Sequence, residues 1–469
     1  MFEDLLIELG INTLPEGWRF EILDDVCNGV FDCPHSTPKL SDNGPYAVRT
    51  QDIRNGFFDT TKAVKVSHKT YADRIKRAEP LFGDLLFSRE GTYFGDAAEV
   101  PENTQVCLGQ RMVLIKPKQE ILDSTYLRAY INSSAFQRYL LRFRDGSVAE
   151  RLNLSVIRKL PVLLPDIEYQ KLIKNNIVPF EKKTSLNRQT NQTLEEIAQA
   201  IFKSWFVDFE PTKAKIAARE ALLADYAKEQ LSANAAQKAK APSAENIAQA
   251  EIQAALESIA GVNKIVPTEQ LQALVDLFPN QLVDSELGEI PMGWEVTPFS
   301  KLTKLTKGKN ITKKTVVHGS VPVVAGGLKP SCYHNTANVK GPVITVSASG
   351  ANAGYVNIYY TDVWASDCSF ICSKATKYLY TNYVLLKLKQ KLITSMQTGA
   401  AQPHIYPKDF DRLNVVNPGN NLFEIIEDIF SGLFNKIKYN ELENTSLGEI
   451  RDILLPKLLS GDLPLECDN

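Results

Sequence analysis

Along residues 168–205 the apolar positions return with a helical beat. Ile173, Ile177, Phe180, Thr184, Asn187, Asn191, Leu194, Ala198, Ile201 and Trp205 follow one another in alternating steps of four and three. Residues 421–458 repeat the beat with Ile426, Phe430, Leu433, Ile437, Asn440, Asn444, Leu447, Arg451, Leu454 and Leu458. A shift of 253 residues lays one stretch on the other without a gap, with identities at Asn187/Asn440, Asn191/Asn444, Leu194/Leu447, Glu196/Glu449 and Ile197/Ile450. Such steps describe a heptad seam, so each stretch is predicted to be a long helix packing along a shared stripe. Two Asn per copy sit on the seam, where a polar residue sets register at some cost in stability. Pro179 falls opposite Gly432, which puts a point of possible bending at the same place in both helices. Ungapped register over this length marks the chain as internally duplicated.

The duplication reaches beyond the helices. Each half opens on a Pro-x-Gly-Trp box, Pro15 to Trp18 and Pro291 to Trp294. A short β-like strip ending in proline, 160–165 and 413–418, precedes each helix. One module followed by one helix is therefore used twice. The modules match each other poorly, the first being 23 residues longer from tryptophan to helix copy. Short β-branched and aromatic runs cut by glycine and asparagine predict mixed β structure with turns, and Leu127, Tyr130, Ile131 and Leu140 have helical spacing. Residues 213–260 are rich in Ala, Glu, Lys and Gln, which favours helix but offers little apolar face. They are expected to form semi-rigid linker helices interrupted near Pro242.

Because each module precedes its own helix, antiparallel pairing would put the modules at opposite ends of one rod. A 38-residue helix rises about 57 Å. The expected fold is α+β: two mixed α/β modules separated by two long antiparallel coiled-coil-like helices, internally duplicated with pseudo-two-fold symmetry. Its expected divisions are residues 1–165, 166–212, 213–285, 286–418 and 419–469.

Length and apolar content (469 residues, 44%) allow two to four domains with real cores. The formal charge of -2 hides a sorting. Residues 14–165 carry 21 basic and 19 acidic side chains, and residues 286–418 carry 15 and 7, so the helices and linker are acidic. The charge is thus sorted, basic in one long segment and acidic along the helices and linker, which points to an anionic partner. Seven cysteines form no CxxC pair, and neither Cys368/Cys372 nor Cys33-Pro34-His35 completes a zinc set. No metal site is expected, and the thiols suit a reducing cytosol. The acidic start Met1-Phe2-Glu3-Asp4 and the lack of a membrane-length apolar run predict a cytoplasmic protein with no membrane partner.

The boxes carry a resemblance. The two Gly-Trp boxes, residues 203–209 (KSWFVDF), residues 284–291 (DSELGEIP) and residues 398–405 (TGAAQPHI), in this order, resemble the specificity subunit of type I restriction–modification systems. The resemblance covers residues 14–463, the long alanine-rich stretch being a departure from it. It implies two target-recognition domains, each reading one half of a split, asymmetric sequence in double-stranded DNA. It also implies that the long helices separate these domains and bind two methyltransferase subunits. SAM would belong to those subunits and ATP with Mg to restriction/translocase subunits of the complex, with no cofactor on this chain.

The residues fit a non-catalytic role. No Asp/Asn-Pro-Pro-Tyr/Phe box, Gly-rich SAM loop or GxxxxGK[ST] is present. Pro165-Asp166 with Glu181-Lys182-Lys183 fits a loose nuclease pattern. Glu181 and Lys183, however, fall on the heptad helix, whose solvated face is not expected to converge on a phosphate. Candidate DNA contacts follow from side-chain chemistry. Lys301, Lys304, Lys307, Lys309, Lys313 and Lys314 run without an acid among them and suit phosphates, or simply a solvated loop. Arg49, Gln51, Arg54 and Arg89, with Ser88, suit base edges, although Arg49 and Arg54 flank Asp52 and equally suit an ion pair. Ser349 and Asn352 lie in a Gly-bearing connection that fits either a phosphate cradle or a tight strand turn. Gln402 and His404 follow the Gly399 turn, and His404 is expected to bond backbone or DNA.

Overall fold

The computed structural model describes residues 2–54, 56–61, 63–91, 94–143, 151–232, 241–259, 268–398, 403–461 and 463, with backbone only at 54, 232 and 268–270. The chain forms two compact units, residues 1–187 with 442–469, and residues 188–441. Each holds one module and part of both long helices, Ile167–Phe206 and Asn420–Ser460. Both helices run unbroken past Pro179 and Gly432. Among the described residues no helix is long and apolar enough to cross a membrane.

The seam forms within each unit, and antiparallel. In the first unit Ile173 and Ile177 share a core with Leu455, Leu458 and Leu459, and Leu454 packs against it. Further along, Asn187 Nδ2 donates to Glu443 Oε2 (2.8 Å) and Asn444 Oδ1 (3.0 Å). In the second unit Asn440 Nδ2 donates to Asn191 Oδ1 (2.7 Å), and Asn191 Nδ2 to Glu441 Oε1 (2.9 Å). Ala198 and Ile201 there share a core with Ile426, Phe430, Leu433 and Ile437, against which Leu194 packs. Phe180 and Leu447 are half-buried. The seam asparagines thus satisfy one another, which out-of-register pairing would deny them.

The modules share one topology, contrary to the poor match of their sequences. Cys27–Asp32, Met112–Pro117, Leu85–Ser88 and Ala97–Glu99 lie in that order in a four-stranded sheet of the first. Thr306–Lys307, Cys368–Cys372, Val343–Ser347 and Val356–Tyr359 do so in the second. A three-stranded sheet accompanies each, its middle strand (Leu40–Val48 or Val321–Val324) antiparallel to one neighbour and parallel to the other. Arg19–Ile22 pairs with Pro161–Leu164, and Glu295–Pro298 with Asn414–Asn417, so the strip before each long helix closes back on the Gly-Trp box.

Each module then docks a helix on the long helix that follows it, Ser124–Ile131 in the first and Leu379–Leu388 in the second. The docking chemistry differs at aligned positions. In the first, Asp123 caps its own helix by accepting from Tyr126 N (3.0 Å), and Lys174 Nζ bonds the same carboxylate (3.0 Å). In the second, Tyr378 makes no side-chain cap, and Glu427, the counterpart of Lys174, accepts from Tyr380 N (3.0 Å), Thr381 N (2.8 Å) and Thr381 Oγ1 (2.7 Å). A carboxylate at a helix N-terminus satisfies orphan amides and complements the dipole. Burial raises the Glu427 pKa, against the lowering effect of these bonds. Glu427→Ala should cost about 2 kcal/mol, measured as a lower midpoint of thermal unfolding, because it leaves buried amides without a partner.

Two turns further along the long helix, Arg128 Nη1 and Nη2 bond Glu181 Oε1 (2.7 Å) and Oε2 (2.6 Å), and Nε bonds Glu99 Oε1 (2.8 Å). Phe434, the counterpart of Glu181, instead stacks on Tyr380 (4.9 Å) and meets Tyr383 edge-on (5.5 Å). This corrects the solvated face expected for Glu181. It lies on the helix but is buried, because Arg128 supplies a bidentate partner; Lys183 is exposed and pairs with Glu443 (3.1 Å).

The alanine-rich segment forms helices on either side of Pro242, as expected, but it packs into the second unit and does not merely link. Glu210–Ser232 and Ala244–Ser258 pack side by side, followed by Thr268–Asp276. Ala255, Ile259, Leu271, Leu274, Val275 and Phe278 enter the core of the second unit. Phe278 meets Trp205 edge-on (5.4 Å), and Trp294 of the second box packs against Phe206 and Phe209. Lys215 Nζ, buried, donates to Val275 O (2.8 Å) and Phe278 O (2.6 Å). Small side chains let these helices approach closely, so a few widely spaced apolar residues suffice to anchor them.

Candidate nucleic-acid interface

A hairpin in the four-stranded sheet gathers several of the candidate residues, and it is built alike in both modules. In the first it runs Ser88-Arg89-Glu90-Gly91 to Gly95, and in the second Ser347-Ala348-Ser349-Gly350 to Gly354. Gly95 N donates to Ser88 O and Gly354 N to Ser347 O, both at 2.8 Å. Phe94 N donates to Gly91 O and Ala353 N to Gly350 O, both at 3.0 Å. The turn demands φ near +85° at both ends, supplied by Gly91 (88°) and Gly95 (85°), and by Gly350 (80°) and Gly354 (83°).

Two further segments close on the hairpin. Arg89 N donates to Arg111 O (3.1 Å) and Ala348 N to Asp367 O (3.1 Å). Leu152 N donates to Arg89 O (2.9 Å) and Ile405 N to Ala348 O (2.9 Å). Glu90 bridges to Arg151, as Ser349 does to His404. The side chains continue the theme: Arg111 Nε pairs with Glu90 Oε1 at 3.3 Å, and Ser349 Oγ bonds the Asp367 carboxylate. The His404 ring stacks on Tyr406 (5.8 Å), and Lys307 Nζ lies over the same ring (5.9 Å).

Ser349, Asn352, His404 and Lys307 therefore come from separate stretches to one end of the second sheet. Asn352 is half-buried at the hairpin tip, and Gln402 lies outside the described residues. All six lysines of the 301–314 run are exposed. In the first module Arg49 takes the ion-pair role, with Nε and Nη2 bonding Asp52 at 3.0 and 2.9 Å. The exposed Gln51 carboxamide, oriented to satisfy its neighbours, accepts from Arg49 at 3.0 Å. The Arg54 side chain lies outside the described residues.

Ser88 needs correction as a DNA contact, because it is 0% exposed within the sheet. Arg89 is half-buried and held by Asp32 (3.0 Å), so it braces the strands. Glu90, Arg111, Arg151, Asp367 and Tyr406 escaped sequence reasoning. The repeated Ser-x-x-Gly-x-x-x-Gly spacing of the two hairpins would have marked Glu90, at the position of Ser349; the other four lie on separate segments that no local spacing ties to the hairpins. Among the described residues no group of three or more His, Cys, Asp or Glu could hold a metal ion.

Residues 15–196 and 291–451, more than half of the chain, match the family model for the type I restriction modification DNA specificity domain. The chain is 28% identical over 456 residues (89% of this chain, 94% of the relative) to the type I restriction enzyme HindI specificity subunit of Haemophilus influenzae. It is 25% identical over 498 residues (98% and 96%) to the type I restriction enzyme MjaIX specificity subunit of Methanocaldococcus jannaschii. A crystal structure of the S subunit of a type I restriction–modification system from M. genitalium aligns over 97% of this chain and 98% of its own, at 15% identity and a TM-score of 0.42. With both halves of the duplicated frame covered by the family match, the chain belongs to the type I restriction–modification DNA specificity family, as a specificity subunit.

Proposed function

We propose that each module reads one half of a bipartite, asymmetric target in double-stranded DNA, while the paired long helices set the spacing and hold two methyltransferase subunits. The observation that carries this reading is one module topology used twice with unlike side chains at matched outward positions. Like frames give two like docking geometries, and unlike side chains make the two half-sites differ. The exposed lysines of the second module supply phosphate contacts, which position the module without reading sequence.

Partner docking has its own support. Leu186 and its aligned counterpart Tyr439 are exposed (57% and 67%), as are Ile197 and Ile450 (36% and 48%). Apolar side chains left open at matched positions, Leu186 and Ile450 in the first unit and Tyr439 and Ile197 in the second, suit two copies of one partner. Methyl transfer from SAM belongs to those methyltransferase subunits. ATP-driven and Mg-dependent steps belong to restriction/translocase subunits that join through the complex.

Exchanging residues 294–417 for those of a related specificity subunit tests the reading. One half of the methylated motif, mapped genome-wide in cells that also carry the methyltransferase partner, should change while the other half survives. A change of both halves together would mean that the modules do not read independently.

A further inference from the structure

We propose that three outward positions on each hairpin platform are the base-reading sets of the two modules: Glu90, Arg111 and Arg151 in the first, and Ser349, Asp367 and His404 in the second. The proposal rests on the reading of the modules as DNA-recognition units. It assigns the chemistry of that recognition to positions paired across the duplication.

The pairing comes from backbone bonds, not from likeness of sequence. Arg89 N to Arg111 O matches Ala348 N to Asp367 O, and Leu152 N to Arg89 O matches Ile405 N to Ala348 O. The Glu90–Arg151 bridge matches the Ser349–His404 bridge. Arg151 and His404 are separated by the same 253 residues that relate the long helices, whereas Glu90/Ser349 and Arg111/Asp367 are offset by 259 and 256, so only the segment next to the long helix keeps the helix register.

Within this frame the positions sort by burial. Those facing inward are alike: Ser88 and Ser347 are 0% and 4% exposed, and Leu152 and Ile405 are 1% each. The turn glycines are shared as well. The three that face outward differ in every case, Glu against Ser, Arg against Asp, and Arg against His. Arg111 and Arg151 are exposed and Glu90 between them is half-buried, while Ser349, Asp367 and His404 are half-buried at the same end of their sheet. Burial accounts for the sameness of the inner set, and nothing in the frame demands the outer residues.

Their chemistry suits base edges over phosphates. A carboxylate repels phosphate, yet each set contains one, Glu90 beside Arg111 and Asp367 beside Ser349. In the major groove a carboxylate accepts from cytosine N4, and Arg donates two bonds to guanine O6 and N7. Ser and His add single bonds of either sense. The cation for the backbone stands next door, as Lys307 over Tyr406, against which His404 stacks.

The test uses the full chain assembled with its methyltransferase partner and reads the methylated motif genome-wide, with DNA binding measured over a salt series. Glu90→Gln and Arg111→Gln should alter or relax bases in one half-site only, with about a tenfold to hundredfold loss of discrimination at the affected position. Asp367→Asn and His404→Gln should do so in the other half-site only. These variants stay polar and add no bulk, and unchanged unfolding midpoints and partner assembly establish that the frame survives. Lys307→Ala is the contrast: it should weaken binding to all sequences alike and lower the salt slope by about one. If folded, assembled triad variants keep both half-sites and merely methylate less, the triads brace the hairpin and the proposal falls, with the two-module reading intact. If a variant in one module alters both half-sites, the two-module reading falls with it.

Discussion

Arg128→Leu should destabilise the first unit by about 3–5 kcal/mol, the usual cost of removing one partner from a buried ion pair. Arg128 and Glu181 are nearly sealed from solvent, with side chains 5% and 8% exposed, and Glu99 is 23% exposed. Burial by itself would lower the arginine pKa, but the bonds and charge of Glu181, then Glu99, hold it above its ordinary value. The guanidinium therefore stays charged, and deleting it leaves two carboxylates facing each other without a counter-ion. Glu181→Gln should cost less, because Glu99 still pairs with the arginine. The double variant Arg128→Met with Glu181→Met should recover most of the loss, since well-packed apolar residues often replace a buried pair at no net cost. Urea unfolding followed by a probe in the first unit measures all three. Equal losses for Arg128→Leu and the double variant would show that the clamp acts through packing and not through charge.

A second large effect is expected in the spacing of the target. Asn191 faces Asn440 and Glu441, so insertions after Thr190 and after Asn440 fall opposite one another. Seven residues in each keep the heptad in phase and lengthen each helix by about 10 Å. At about 3.4 Å per base pair, the untouched spacer between half-sites should grow by about three base pairs while both half-sites keep their bases. The same change turns one reading head by about 100° around the duplex, so weaker methylation is expected together with the longer spacer. Insertions of four residues put the asparagines against apolar neighbours and should abolish assembly with the methyltransferase partner. The methylated motif of each insertion variant decides the matter. Efficient methylation at the original spacing by the seven-residue variant would show that the helices are not the ruler.

The legible parts were those with local or strictly periodic causes. Steps of four and three persist over 33 residues in each helix, and a gapless repeat of such a pattern argues against two unrelated helices. The family resemblance rested on boxes around turns, where only Gly fits, as Gly17 and Gly293 show with φ of 80° and 86°. The platform was less legible. Ser349 and His404 were singled out for their chemistry, but their meeting depends on a bridge between strands more than fifty residues apart. Ser88 was misjudged because a hydroxyl reads as polar in sequence, whereas its strand buries all four of its residues.

By itself the sequence determined the duplication, the two long helices, their seam and the order of module and helix, because periodicity and covalent order are properties of the chain. Tertiary structure alone decided the rest. The strands of the modules are mostly two to six residues long, too short for alternation to declare their partners, so their common topology exists only in ladders between distant segments. Glu181 looked like a solvated charge until Arg128, 53 residues earlier, closed on it. The alanine-rich segment looked like a linker until its small side chains allowed helices to pack around Phe278 and Lys215. In each case a side chain's role was set by what lay across the fold from it, and no local pattern encodes a neighbour that far away.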